Sequence, residues 1–335
     1  MNEYPWLAEP AQQILTHQPN LAHAWLISGA QGVGKFAFGQ LLAQSLLCEH
    51  PMDNGLACGA CVACGWVKQH HHPDLKYLYP TALHPTLFPE LPELEATASQ
   101  EIRVDQLRSL DDWFHASTHR AGYRVVIIYP AEQMNAITAN TLLKILEEPA
   151  PQTIFLLLTA QTARLLPTVI SRCQRFNLPN PDSEQALAWL EAQQIPQAAQ
   201  WLAAYDGAPL LAKEAAQSQD RPIPAWLFDL SEALLSRQRL GLYRLLDTLE
   251  EEPFAAIVTV LQRFVLDIQC LQFALPVRHY PALGKTMAQL AQRNNALRSA
   301  HLLKQLNERQ LTAQHPFNAK LRLQSLLDTL MEQYA

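Results

Sequence analysis

The chain has 335 residues, of which 49% are hydrophobic and 17% charged, with a formal net charge of -6. That length suits two or three domains and gives each enough apolar surface for a core. The acidic balance excludes a protein that grips nucleic acid unaided, because neutralising phosphates takes a Lys/Arg surplus.

In chain order, the opening MNEYPWLAEP has no basic stretch followed by an apolar core, which predicts no signal peptide and a soluble, cytoplasmic protein. Ala24-Trp25-Leu26-Ile27 is a short apolar strand signal that runs into a Gly-rich turn and a helix from Lys35 to Cys48. Residues 79–99 are rich in Pro, Leu and Glu without periodicity and predict an exposed insertion loop. Residues 122–129, GYRVVIIY, form a second strand, followed by a helix through Ala139 to Leu146. A third strand, Ile154 to Leu158, follows the Pro149-Ala150-Pro151 break. Strand and helix alternating in this way predict a parallel sheet with helices on its faces.

Beyond about residue 180 the strand signals stop. Asp182-Ser183 can cap a helix running through Trp189, and two short helices then lead to an Arg221-Pro222-Ile223-Pro224 linker. From Ala225 onward only helices are predicted. The most apolar of them, Phe254 to Leu275, places Ile257, Leu261, Phe264, Ile268 and Leu271 at helical spacing, which predicts an amphipathic packing helix. The expected domains are an α/β domain over 1–180, a small helical domain over 181–221 and a larger all-α domain over 222–335.

Gly29-Ala30-Gln31-Gly32-Val33-Gly34-Lys35-Phe36 follows a strand and opens a helix, the context of a phosphate-binding loop. Gly29, Gly32 and Gly34 would let backbone N–H groups curl around phosphates, and Lys35 would reach the terminal ones. The next position should carry a Ser or Thr hydroxyl for Mg²⁺, and it carries Phe36. The second strand should end in carboxylates that manage Mg²⁺ and water. It ends in Tyr129-Pro130, with Glu132 two positions further on. Hydrolysis is therefore not expected, and ATP binding is left open.

Four of the six cysteines, Cys48, Cys58, Cys61 and Cys64, give C-x9-C-x2-C-x2-C. In a cytosolic chain this clustering favours a metal over disulfides. Four thiolates can enclose a structural Zn²⁺, with an iron–sulfur cluster as the alternative. His70, His71 and His72 follow closely; with four thiolates available, they are expected at the surface.

Several stretches resemble one family, the bacterial clamp-loader ATPase subunits of the AAA+ class. LAHAWLISGAQGVGKF resembles their "HAyLf-G-xGxGK" opening, and residues 139–149 are similar to their "NALLKtLEEP" helix. Residues 102–108 look like an "IrVdqiR" segment, and Ile170-Ser171-Arg172-Cys173 contains their "SRC" element. The resemblance implies a RecA-like AAA+ domain carrying a zinc module at about 48–64, a helical lid and a helical collar. It also implies a five-subunit loader, containing delta and three gamma/tau-type motor subunits, that places a sliding clamp on primed DNA. Phe36, Tyr129-Pro130 and Leu210, which stands where motor subunits carry a phosphate-sensing Arg, point to a non-hydrolysing subunit rather than a motor. In that family the Arg of SRC, here Arg172, is an arginine finger acting in trans on a neighbour's ATP.

Three other functions fit the sequence less well. A motor subunit conflicts with the lost Mg²⁺ residues. A zinc-dependent nucleic-acid module would need basic and aromatic residues around the cysteines, where Asn54 to Ala57 and Gly59-Ala60 are neutral and small. A serine or cysteine hydrolase finds no G-x-S-x-G and no placed base.

Overall fold

The computed structural model describes residues 4–16, 21–93, 97–119, 122–219, 221–312 and 318–334. Contacts divide the chain into two compact units, Met1–Gln185 and Ala186–Ala335.

The first unit is built on a five-stranded sheet, β1 Ala24–Ser28, β2 Leu75–Leu78, β3 Arg124–Ile128, β4 Thr153–Thr159 and β5 Gln174–Asn177. Its order is β2-β3-β4-β1-β5, and every pairing is parallel, with Leu26 opposite Leu157 and Val126 opposite Phe155. Strands β3 and β4 are buried along their whole length, as parallel strands covered on both faces must be. One face packs Leu26, Val126, Ile128, Phe155 and Leu157 against Leu107, Leu142 and Leu146. The Lys35–Leu47 helix lies against β3 and β4. A Cβ at Gly39 would meet Leu158 Cδ1 at 2.8 Å, so this helix approaches the sheet as closely as glycine permits.

The three strands expected from sequence are present, and two more join them. β2 is a four-residue LKYL of mixed polarity, and β5 is the largely exposed QRFN at the sheet edge; neither contains the continuous apolar run that reveals a buried strand. The expected exposed loop over 79–99 is corrected. Thr81–Leu83 and His84–Leu87 are short helices, and Pro80, His84 and Phe88 are buried. Tyr79 and Phe88 rings lie 5.2 Å apart, and His84 bridges the Tyr79 hydroxyl at 2.7 Å and the Pro92 carbonyl at 3.0 Å. Residues 94–96 of that loop lie outside the described residues.

The second unit has helices as its only regular elements among the described residues. Asp182 Oδ1 accepts from Glu184 N at the start of the Ser183–Ala192 helix, which is the expected cap. Ala198–Ala204 and Pro209–Ser218 form a short pair, and helices Ala225–Ser236, Arg239–Glu250, Phe254–Gln272, Gly284–Arg293, Ala296–Leu311 and Ala319–Tyr334 follow. Phe254–Gln272 is 19 residues long and apolar enough to cross a membrane, with mean hydropathy 1.6. Its Ile257, Leu261, Phe264 and Ile268 are instead buried with Leu230, Leu302, Leu327 and Tyr334 in the core of this unit, so it is the packing helix the spacing predicts.

Candidate functional site

The Gly-rich turn leaves the C-terminal end of β1, where parallel sheets place ligands. Gly32 and Gly34 have φ of 78° and 94°, a left-handed backbone that glycine adopts without steric cost. Trp6 Nε1 donates to Val33 O at 2.9 Å and holds the turn from the N-terminal side. Lys35 does not point outward. Its Nζ donates to the carbonyls of Gly29 at 3.0 Å and Ala30 at 2.7 Å, closing the loop on itself. Burial lowers the Lys35 pKa to about 8, with the Glu132 carboxylate opposing that shift.

The Phe36 ring occupies the side where a hydroxyl would serve Mg²⁺. It lies 6.0 Å from Tyr77, 5.7 Å from Phe88 and 5.3 Å from Tyr129. These partners come from β2, from the 79–99 segment and from the end of β3. Glu132, the nearest carboxylate in sequence, accepts from Ala160 N at 3.1 Å and so is engaged at the end of β4. Burial raises the Tyr129 pKa, and Glu132 adds to the rise. An aromatic cluster therefore stands where metal chemistry would be. Phe88 had no local sequence signal, because only the fold brings it beside Phe36.

The cysteines converge from three pieces of chain. Cys48 ends the Lys35–Leu47 helix, Cys58 lies in the following loop, and Cys61 caps the Val62–Lys68 helix that carries Cys64. Ser45 Oγ accepts from Ala57 N, and Gln44 donates to Cys64 O, so the loop is folded back onto the helix. The four Sγ atoms lie within 4.8 Å of one another, with Cys48 at 3.5 Å from Cys58 and 3.9 Å from Cys61. Ligands about 2.3 Å from a tetrahedral metal stand about 3.8 Å apart, so the spacing fits one ion. Backbone N–H groups already point at the sulfurs: Cys58 N to Cys48, Cys61 N to Cys58 and Cys64 N to Cys61. The N–H groups of Ala60 and Cys61 bring the Cys58 pKa down to about 6, whereas burial pushes the Cys64 thiol up. This cluster can hold a metal ion.

The neighbouring histidines correct a sequence expectation. His71 is exposed, but His72 is buried, with Nδ1 accepting from Asp74 N at 3.1 Å. His70 stands edge-on to Phe88, 4.8 Å between ring centres. His70 thus joins the aromatic cluster, while the His72 ring stands edge-on to Trp66 at 5.7 Å.

Arg172 follows the short Pro167–Ile170 helix and precedes β5. Its Nη1 donates to Thr168 O at 2.9 Å and its Nη2 to Glu147 Oε1. Glu147 ends the Ala136–Glu147 helix, and sequence reading missed it as a partner although it lies inside the LEEP motif. His23, from the opening motif, reaches Leu146 O at 3.1 Å at the same helix end. Leu210 is half-buried in the first turn of Pro209–Ser218.

Residues 9–182 match the family described as "DNA polymerase III, delta subunit". The chain is 39% identical over 191 residues to the DNA polymerase III subunit delta' of Pseudomonas aeruginosa, covering 56% of this chain and 52% of that one. It is 32% identical over 302 residues to the subunit delta' of Haemophilus influenzae, covering 88% of this chain and 86% of that one. A solved DNA polymerase III gamma subunit-related protein of Thermotoga maritima aligns with 98% of this chain and all of its own, at 17% identity and TM-score 0.44.

Proposed function

We propose that this chain, which belongs to the family of DNA polymerase III delta-prime subunits, acts in the cytoplasm as a clamp-loader subunit without hydrolysis of its own. In this reading it joins delta and gamma/tau-type motor subunits, and the assembly places a sliding clamp on primed DNA. The observation that carries it is the contrast between two ends of one sheet. The metal side of its own phosphate loop is filled by Phe36, Tyr77, Phe88 and Tyr129, while Arg172 remains at the surface with a side chain 34% exposed. A site that cannot manage Mg²⁺ does not hydrolyse ATP. An exposed guanidinium beside the last strand can serve a phosphate on another subunit, because its planar fork offers paired N–H donors.

The four cysteines would hold structural Zn²⁺, which supplies a cross-link between the Lys35–Leu47 and Val62–Lys68 helices and no chemical step. The N–H···S bonds already present suit thiolate ligands, and zinc binding would release the remaining thiol protons. Residues 181–221 would be the lid and residues 222–335 the collar through which the subunit assembles.

Reconstitution of the loader with Arg172→Ala tests the central claim. The variant should assemble and leave one motor site with hydrolysis reduced by about 10³-fold or more, the scale expected for a lost arginine finger. Arg172→Lys should recover little, since a point charge lacks the fork. Wild-type ATPase and loading rates in an assembled Arg172→Ala complex would sink the proposal.

A further inference from the structure

We infer that Glu147 is a stand-in anion for Arg172, so that engaging a neighbour's γ-phosphate is an exchange of carboxylate for phosphate on one guanidinium. This inference rests on the reading of Arg172 as a finger acting in trans.

Both terminal nitrogens of Arg172 already donate within the chain, Nη2 to Glu147 Oε1 and Nη1 to Thr168 O at 2.9 Å. Its two partners, Glu147 and Thr168, stand on helices that pack together, Ala136–Glu147 and Pro167–Ile170. The guanidinium is thereby held in place before any neighbour arrives. Glu147 gains nothing from its own helix, because a carboxylate at a helix C-terminus meets the negative end of the macrodipole. The guanidinium opposite is the favourable charge at that position.

The strength of the contact suits an exchange rather than a permanent strut. The Arg172 and Glu147 side chains are 34% and 50% exposed, and pairs this open contribute a factor of about one to five in equilibrium terms. A terminal phosphate carries more charge and three acceptor oxygens, so it displaces a carboxylate from the same donors. The two anions repel each other and do not share the fork. Part of the finger population is therefore always occupied by Glu147, which raises the ATP concentration needed at the served site.

The test uses a reconstituted loader in which the motor phosphate loops not facing this chain are inactivated, leaving one hydrolysing site. Glu147→Gln keeps the shape and removes the charge. It should lower the half-saturating ATP concentration about two- to five-fold while leaving kcat unchanged, because the exchange is complete once ATP is bound. That difference should fade as salt rises from about 50 to 500 mM, because the pair is exposed and screened. Glu147→Asp, charged but shorter, should fall between the two. Arg172→Ala is run beside them. If it abolishes most hydrolysis while Glu147→Gln leaves the ATP requirement unchanged or raises it, the exchange is wrong and the finger stands. If Arg172→Ala has no effect, the finger reading itself fails.

Discussion

Asp267 and His279 face each other inside the helical unit, Asp267 Oδ1 2.8 Å from His279 Nδ1, with both side chains at most 1% exposed. Asp267 also accepts from the backbone N–H groups of Arg278, His279 and Tyr280. On the other ring edge, His279 Nε2 lies 2.7 Å from Asp206 Oδ1, and Arg263 donates to Asp206 Oδ2 at 3.0 Å. A neutral imidazole has a single N–H and cannot donate to acceptors on both sides, so this pairing with two carboxylates favours the protonated form of His279. It ties the chain after Ala198–Ala204 to the Phe254–Gln272 helix.

This arrangement makes stability depend on pH. Burial by itself lowers the His279 pKa, and the hydrogen bonds to Asp206 and Asp267 override it, leaving the pKa raised above its ordinary 6.5. The folded chain then keeps the proton to higher pH than the unfolded chain. The contribution is complete below about pH 6.5 and is lost as pH climbs through the raised value. Replacing His279 by Asn should destabilise the protein by about 3–5 kcal/mol at pH 6, the scale for breaking a buried charged pair. Denaturant unfolding should show the gap from wild type narrowing toward pH 9, and a gap constant across that range would refute the protonated bridge.

Restoring one lost residue should not restore catalysis. Phe36→Thr returns a hydroxyl to the phosphate loop, yet Tyr129-Pro130 still ends β3 and Phe88 still stands alongside. ATP turnover by the purified variant should stay at background. Phe88→Ala should lower the melting temperature, since Phe88 is 2% exposed and truncating a buried Phe costs about 3–5 kcal/mol. Turnover by Phe36→Thr that disappears on Lys35→Ala would show that the strand-end carboxylates are dispensable.

Metal analysis should find one zinc per chain and no visible iron–sulfur absorption. Cys64 is the fully buried cysteine of the cluster, so Cys64→Ser should abolish zinc retention. Hydrogen exchange should then rise over residues 48–68, while the sheet strands stay protected, because the site is a local cross-link. Iron in the preparation, or full zinc retention by Cys64→Ser, would reject this assignment.

Truncation should succeed at one boundary and fail at another. The apolar core of the second unit runs from Ala204 and Ile223 to Tyr334. A chain ending at Gln185 stops at the boundary between the two units, in the first turn of the Ser183–Ala192 helix, and should remain folded with its metal. A chain ending at 221 leaves Ala204 without its buried neighbours and should be less soluble and more readily proteolysed. Equal protease resistance of the two fragments would argue against that division.

Local chemistry made much of this protein legible from its residues. A strand, glycines and Lys35 in fixed order announce a phosphate loop, and Phe36 with Tyr129-Pro130 announces the absence of its Mg²⁺-handling groups, since each deficit sits at a single position. The C-x2-C-x2-C spacing likewise announces convergent sulfurs, because neighbouring turns hold them. What closes the loop needed the fold. Phe88, 52 positions after Phe36, reaches it only because the Pro80–Phe88 segment packs beside β2. β2 and β5 carried no clear signal, being short and mixed or exposed, and they become strands through parallel pairing with β3 and β1. The Glu147–Arg172 and Asp267–His279 pairs belong to the same class: each joins a helix residue, Glu147 or Asp267, to a residue in a connecting segment 25 or 12 positions later. No periodicity encodes such pairs, and it is the packing of those connecting segments against the helices that selects them.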